Sequence, residues 1–134
     1  MKKLVLFSCL LIITACDPGE TLVKYGGGNY VWRLVEVDGQ PVTFSNEIAF
    51  GPHGSVNGTG PCTQFTAGQR APYPWFEIEL EDNITAPECT FSTQERKYFA
   101  DLKDMQIVEV SGPNMVLTNE DGREMVFVGI TDGG

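Results

Sequence analysis

Residues 30–37 read YVWRLVEV, and this stretch sets the expectation for the whole chain. Its side chains alternate in character and are largely β-branched or aromatic, which is typical of a half-buried β-strand. The stretch ends at Asp38-Gly39, a dipeptide that favours a tight turn. The sequence therefore predicts a first strand over residues 30–37 that closes at a turn.

Short strand-like stretches recur along the chain and are separated by turns. We expect further strands at 47–50, 55–65, 75–81, 105–110, 115–118 and 124–130. The stretch at 55–65 is broken by glycine, which indicates a bulge or a tight bend. Residues 75–81 read WFEIELE, so their apolar and glutamate side chains are expected to face opposite sides of a strand.

One segment has helical rather than strand periodicity. Tyr98, Leu102 and Met105 recur at helical spacing, which predicts a helix at about 93–104. Ser92 and Glu95 fit a capping box, in which the serine caps the helix and the glutamate reaches back to the cap's amide. The predicted fold class is mainly β (α+β), a compact antiparallel sheet or partly open barrel with one helix.

The first fifteen residues have the layout of a secretory signal peptide. Two lysines precede about a dozen mostly apolar residues, too few for a membrane-spanning helix, which needs about 20. Ile13-Thr14-Ala15-Cys16 resembles the lipobox of bacterial lipoproteins, in which the cysteine is acylated and the signal is removed. The resemblance implies a lipid on Cys16 that anchors the protein to a membrane of the cell envelope, facing the periplasm. An ordinary secretory signal with an accidental cysteine is the alternative.

The chain after residue 15 is expected to hold a tether and one domain. Residues 16–29 comprise the lipidated cysteine and a flexible, glycine-rich tether, and residues 30–131 form the domain. Asp17 resembles a signal that retains some enterobacterial lipoproteins in the inner membrane. Without residues 1–15 the chain has 7 basic and 18 acidic side chains, a formal net charge of −11. We expect it to repel nucleic acid and anionic lipid head groups.

A series of short signatures in the domain resembles the META (HslJ-like) domain family. They follow the family's order: Trp32-x-Leu34, Asp38-Gly39, Ile48-x-Phe50, Gly54 to Gly58, Cys62 with Phe65 and Gly68, Ile84 to Cys89, Glu95 with Phe99 and Leu102, Met115-x-Leu117, Gly122 and Phe127. The family usually has Gly-Cys-Asn where this chain has Pro61-Cys62-Thr63. The resemblance implies a small, partly open β-barrel, often lipid-anchored or periplasmic, that is linked to envelope stress or drug tolerance rather than to a known reaction.

Cys62 and Cys89 remain once Cys9 leaves with the signal and Cys16 is lipidated. Outside the cytoplasm an even pair favours a disulfide. Free buried thiols are one alternative, and metal or redox chemistry is another. A metal site is disfavoured because the chain has a single histidine and no Cys-x-x-Cys.

The sequence offers little for catalysis. His53 lies in Gly-Pro-His-Gly, which favours a surface turn, and neither Ser45 nor Ser55 lies in a Gly-x-Ser-x-Gly motif. The glutamates of residues 75–81 are what a half-buried strand shows to water, with a weak cation site or a catalytic carboxylate pair as alternatives. We expect no enzyme activity, no cofactor and no metal.

Tyr73 and Trp75 follow prolines in residues 70–75, a loop that can expose its aromatic side chains. They are the candidate partner surface, with local packing as the alternative. The expected function is that of a monomeric, non-enzymatic envelope protein that binds another protein or supports envelope integrity. A small apolar ligand inside the barrel is the alternative, and bulky inward residues would argue against it: Phe44, Phe50, Phe65, Phe76, Phe99 and Phe127.

Overall fold

The computed structural model describes residues 21–81 and 85–132, apart from the side chain of Asp132. The strands are β1 Tyr30–Val37, β2 Gln40–Pro41, β3 Glu47–Phe50, β4 Ser55–Thr59, β5 Gln64–Gln69, β6 Ile78–Leu80, β7 Ile107–Ser111, β8 Asn114–Thr118 and β9 Glu124–Asp132. The helix α1 spans Ser92–Asp104, and short helical turns lie at Val23–Gly27 and Pro52–Gly54. No helix in the described residues is long and apolar enough to cross a bilayer. The predicted signal peptide (residues 1–15), Cys16, Asp17 and Ile84 lie outside the described residues.

All the strands belong to one antiparallel sheet. Its order is β6-β5-β4-β3-β1-β9-β8-β7, with β2 paired to β1. The sheet curls into a half-barrel, and its two edges meet where Trp75, just before β6, pairs with Ile107 at the start of β7. The predicted mainly β fold with one helix is therefore confirmed.

The core lies between the concave face of the sheet and α1. Trp32 and Leu34 of β1 and Phe127 of β9 are at most 1 % exposed, because alternate residues of each strand point inward. Tyr98 and Leu102, on one face of α1, cover the open side of the core and are also at most 1 % exposed. Five of the six expected inward phenylalanines are buried, and the sixth packs at the core's edge: Phe50, Phe65, Phe76, Phe99, Phe127, and Phe44.

Two of the predicted strands differ from the structure. The single glycine-broken strand expected at 55–65 is wrong, since the chain reverses at 60–63 and β4 pairs with β5 as a hairpin. The strand expected at 75–81 is shortened to Ile78–Leu80. Its first residue, Trp75, pairs with Ile107 on the opposite edge of the sheet instead.

The flexible tether expected over residues 17–29 is also wrong where the structure describes it. Leu22 is only 3 % exposed and belongs to the core. The indole Nε1 of Trp32 donates to the carbonyl of Gly27 at 2.8 Å, and the amide of Tyr25 donates to the carbonyl of Thr21 at 3.3 Å. One buried leucine and these backbone contacts fix the segment, so the domain begins near residue 21 rather than 30.

The antiparallel order places the connections at two opposite ends of the sheet. The N-terminal end comprises residues 21–29, 51–54, 70–74 and 112–113. The helical end comprises the connections 38–39, 60–63, 81 with 85–91, and 119–123, together with α1. Because β1 has 8 residues, the two ends lie about 25 Å apart.

Candidate functional site: the seam around Trp75

The seam is the segment 72–77 where the two edges of the half-barrel meet. Its inner side is held by Gln69, which is only 6 % exposed. The Gln69 side chain donates from Nε2 to the carbonyl of Trp75 at 3.1 Å and accepts from the amide of Glu77 at 2.8 Å. One buried amide group thereby fixes the backbone on both sides of residue 76.

The other side of the seam is bonded to β7 and the residue before it. The amide of Phe76 donates to the carbonyl of Gln106 at 2.8 Å, and the amide of Val108 donates to the carbonyl of Pro74 at 2.8 Å. Phe76 itself is buried in the core. The segment is thus held from two directions, so its outward side chains are presented from a fixed backbone.

Trp75 is the outward side chain of the seam, and it is 57 % exposed. Beside it lies a groove of about 560 Å³ whose floor includes Phe76, Met105 and Ile107. Lys103 and Glu120 stand at its rim with opposite charges. A large exposed aromatic on a rigid backbone, next to an apolar groove with a polar rim, is the arrangement found at the centre of protein-binding sites.

Tyr73 has a different environment from Trp75, although both were predicted for one surface. It is half-buried, and its ring stacks on that of Tyr25 with centroids 4.3 Å apart and planes 6° apart. Its hydroxyl accepts a hydrogen bond from the amide of Val110 at 3.2 Å. Tyr73 therefore fastens the N-terminal segment to the seam, and Trp75 alone of the two offers a freely exposed ring.

Sequence reasoning missed the residues that hold this site. Gln69 lies between the strands predicted at 55–65 and 75–81, and Gln106 lies within the strand predicted at 105–110, so neither position was marked out as a support for this site. The exposed Trp75 could be suspected from the prolines before it, but the buried amide that fixes it has no signal in a single sequence.

A second polar centre lies at the helical end, around the carboxylate of Glu95. Its Oε2 accepts from the amides of Cys62 and Thr63 at 2.8 and 2.9 Å. Its Oε1 accepts from the hydroxyls of Thr63 and Thr85 at 2.9 and 2.8 Å. Burial alone disfavours the charged carboxylate, but these donors outweigh burial and set the pKa of Glu95 below its usual value. The centre has all its acceptor positions used and is structural.

This arrangement corrects the predicted capping box. Ser92 is the first residue of α1 rather than its cap, the cap position is taken by Phe91, and no side chain bonds there. Glu95 cannot reach back to the cap because its carboxylate is bound to the loop 60–63. Gly60 allows that approach, since a Cβ there would lie 2.5 Å from Oε2 of Glu95. Thr63, which stands where the family usually has asparagine, supplies two of the donors.

Cys62 and Cys89 form a disulfide beside the Glu95 carboxylate, with Cα atoms 6.1 Å apart. The bond joins the β4–β5 connection to the segment that enters α1. The pairing favoured from the sequence is therefore confirmed.

Of the other candidate residues, Glu77 lies within the seam and shares a small pocket with Glu79, whereas His53 lies in a turn of its own. His53 is exposed in the turn Pro52–Gly54, at a left-handed φ of 59°. Glu77, Glu79 and Glu81 are exposed, and Glu81 accepts from the hydroxyl of Thr66 at 2.8 Å. Among residues 21–81 and 85–132, no group of three or more histidine, cysteine, aspartate or glutamate side chains could hold a metal ion.

Comparison with known proteins identifies the family and the fold. The META domain family model matches residues 25–132. A DUF4847 family protein from Bacteroides vulgatus is 11 % identical, with a TM-score of 0.66 over 79 % of this chain and 96 % of that one. A second solved structure, determined by NMR, is 17 % identical, with a TM-score of 0.52 over 75 % of this chain and 90 % of that one. No curated protein sequence matches the chain. At these identities the solved structures support the fold alone.

Proposed function

Because the chain belongs to the META domain family, we propose that it is a lipid-anchored envelope protein whose domain binds another envelope protein. In this proposal residues 1–15 are a signal peptide, the lipid is attached to Cys16, and the monomeric domain faces the periplasm. Asp17 favours the inner membrane. The domain uses no cofactor and catalyses no reaction, and its role is in envelope integrity under stress or drug exposure, as the family resemblance implies.

The observation that carries the binding proposal is the exposed ring of Trp75 on a fixed backbone. A partner that covers the ring would gain its apolar area without first ordering the segment, because Gln69 and the edge of β7 already hold it. The adjoining groove would take an apolar side chain of the partner. The rim charges Lys103 and Glu120 would set its orientation.

The alternative, a small apolar ligand in the interior of the half-barrel, has less support. The inward positions that would line such a cavity are filled by Phe50, Phe65, Phe76, Phe99 and Phe127, which pack on one another in the core. Rings of Phe65 and Phe99 meet edge to face with centroids 5.1 Å apart. A ligand would have to displace these contacts.

The test uses crosslinking in cells that make the full chain. A photoreactive phenylalanine analogue replaces Trp75 in one variant and Phe91 in another, since Phe91 is 46 % exposed and lies at the helical end. We expect one protein to crosslink through position 75 and not through 91, and Trp75→Ala to abolish its co-purification while Phe91→Ala does not. Equal labelling through both positions would contradict the binding surface. The mass of the N-terminal peptide tests the acyl chains on Cys16 separately.

A further inference from the structure

A cleft separates α1 from the connection between β1 and β3. One wall is a single face of α1, formed by residues at helical spacing: Gln94, Lys97, Tyr98 and Asp101. The opposite wall is formed by residues within 34–44, and the cleft has a volume of about 400 Å³. Ligand pockets in proteins typically measure about 300–1,000 Å³, so the cleft can hold a small molecule.

The path of the connection beside this cleft is set by Asn46, which is only 1 % exposed. Its Oδ1 accepts from the amide of Leu34 at 2.8 Å, and its Nδ2 donates to the carbonyls of Leu34 and Phe44 at 3.2 and 3.3 Å. At Leu34, β1 is therefore bonded to a side chain rather than to the backbone of β3. The connection leaves the sheet there and carries Phe44 to α1, where its ring meets that of Tyr98 edge to face with centroids 5.7 Å apart.

The hydroxyl of Tyr98 is buried and has no hydrogen-bond partner among the described residues. The ring lies among those of Phe44, Phe65 and Phe99, and the residue is 1 % exposed. Burial raises the pKa of Tyr98, so the hydroxyl keeps its proton and can donate. Buried hydroxyls are usually paired, because an unpaired one destabilises the fold. Since Tyr98 also lines the cleft, a molecule bound there could supply the acceptor that this hydroxyl requires.

The charged side chains at the mouth of the cleft neutralise one another. Asp101 is paired with Lys97 at 2.7 Å and with Arg123 at 2.9 Å. Asp38 is paired with Arg123 at 3.0 Å through one carboxylate oxygen, and its other oxygen accepts from the amide of Glu124 at 2.9 Å. A charged ligand would have to compete with these pairs, whereas an uncharged one leaves them intact.

We propose that the cleft binds a neutral, mainly apolar small molecule whose carbonyl oxygen accepts a hydrogen bond from Tyr98. The apolar body of this ligand lies against Leu34 and Val37, and its outer end meets the exposed amide of Gln94. The ring of Phe44 shifts to admit it, because Tyr98 is otherwise closed off from water. The site lies at the edge of the core, so the buried phenylalanines of the half-barrel stay packed. It depends on neither the lipid anchor nor the seam, and it therefore goes beyond the proposed function.

The test uses two probes that differ in the acceptor. Prodan is a neutral fluorescent naphthyl ketone, and dimethylaminonaphthalene is the same ring system without the ketone. Residues 17–134 contain the whole of the described core, from Leu22 to Phe127, so this chain can be prepared without acyl chains or detergent. It is made under oxidising conditions, so that the disulfide forms, and each probe is titrated by fluorescence.

We expect both probes to bind. Tyr98→Phe should weaken prodan by about ten-fold, the effect of one hydrogen bond, and leave the probe without a ketone unchanged. Tyr25→Phe removes a tyrosine hydroxyl at the opposite end of the half-barrel and should change neither affinity. Gln94→Trp narrows the mouth of the cleft and should weaken both probes, whereas Thr93→Trp, at an exposed neighbouring position outside the cleft, should weaken neither.

Thermal unfolding supplies an independent readout of the unpaired hydroxyl. Tyr98→Phe should not lower the midpoint, because no hydrogen bond within the protein is lost. A clear fall would show that the hydroxyl has a partner in the fold and would overturn the proposal. Failure of the probes to bind, an equal change in both affinities on Tyr98→Phe, or full binding to Gln94→Trp would also overturn it. Crosslinking at Trp75 tests the seam separately, so neither result decides the other.

Discussion

The two ends of α1 are fastened to the sheet by carboxylates, but in opposite ways. In the first turn, the buried Glu95 is bound by neutral donors from the loop 60–63 and from Thr85. In the last turn, Asp101 and Asp104 are bound by the charged guanidinium of Arg123, which also pairs with Asp38. At the first turn, a buried carboxylate receives hydrogen bonds from uncharged amides and hydroxyls. At the last turn, Arg123 and its carboxylates form a partly exposed network of ion pairs.

The helix dipole explains why only the second fastening needs a cation. A carboxylate near the start of a helix is favoured by the positive end of the dipole, so Glu95 requires hydrogen bonds alone. Carboxylates near the end of a helix are disfavoured, and Arg123 compensates for Asp101 and Asp104 there. Its hydrogen bonds to Asp101, Asp104 and Asp38 raise the pKa of Arg123 further above its usual value. The stability of the first turn therefore depends on buried hydrogen bonds to Glu95, and that of the last turn depends on ion pairs that salt can screen.

The largest expected effect comes from the bond that holds the donors of Glu95 in place. Cys62→Ser with Cys89→Ser removes a crosslink between residues 27 apart, which the chain-entropy model equates with about 3.5 kcal/mol. We expect the midpoint of thermal unfolding to fall by about 15–20 °C with the sheet retained, as measured by circular dichroism. Reduction of the wild type should reproduce the change, and a fall of only a few degrees would show that the donors hold the loop without the bond.

Glu95→Ala should have the next largest effect. It should lower the free energy of unfolding by about 3 kcal/mol, because it leaves two amides and two hydroxyls without their acceptor. The pKa of Glu95 is lower in the folded chain, so its contribution is complete above the unfolded pKa and is lost as pH falls through the folded pKa. Urea unfolding of the wild type should therefore lose more stability toward acidic pH than that of the variant. Parallel pH profiles for the two proteins would contradict the assignment.

Arg123→Ala should lower the free energy of unfolding by about 1 kcal/mol, since each partly exposed ion pair contributes little to stability. Unlike the loss at Glu95, this loss should shrink at high salt, because the network is screened. Urea titrations at low and high salt separate the two fastenings. A salt-independent loss at Arg123 would mean that its packing, and not its charge, holds the last turn.

Ser92→Ala should have the smallest effect, less than about 0.5 kcal/mol, in contrast to the loss of about 1 kcal/mol expected for a true cap. The serine makes no cap hydrogen bond in the structure, since the cap position belongs to Phe91. Thermal melts of the variant and the wild type should coincide. A clear loss would restore the capping-box interpretation.

What the sequence could predict depended on periodicity. The alternation in β1 and in the last three strands, and the helical spacing of Tyr98 and Leu102, indicated elements that the structure contains. The cysteine pair followed from the cysteine count and from the compartment predicted for the chain. The strand and helix patterns repeat over several residues, and cysteine is a residue type with few structural roles, so both can be recognised in a single sequence.

The failures share a physical cause, which is a contact between residues distant in sequence. Glu95 had the spacing of a capping residue, but the loop 60–63 competes for its carboxylate. Leu22 fell within the segment predicted as a flexible tether, but it is buried in the core. Gln69 carried no signal at all. Local patterns cannot reveal a partner that the fold brings from elsewhere.

The pairing of β1 with β9 has a consequence for the order in which the domain can be made. Tyr30 lies opposite Asp132, so the first strand of the sheet pairs with a strand about 100 residues further along the chain. Contacts of such long sequence separation slow folding, because the intervening loop must close before they form. While the ribosome still holds β9, the sheet is therefore divided between β1 and β8. The half-barrel can close only after β9 has been made and released.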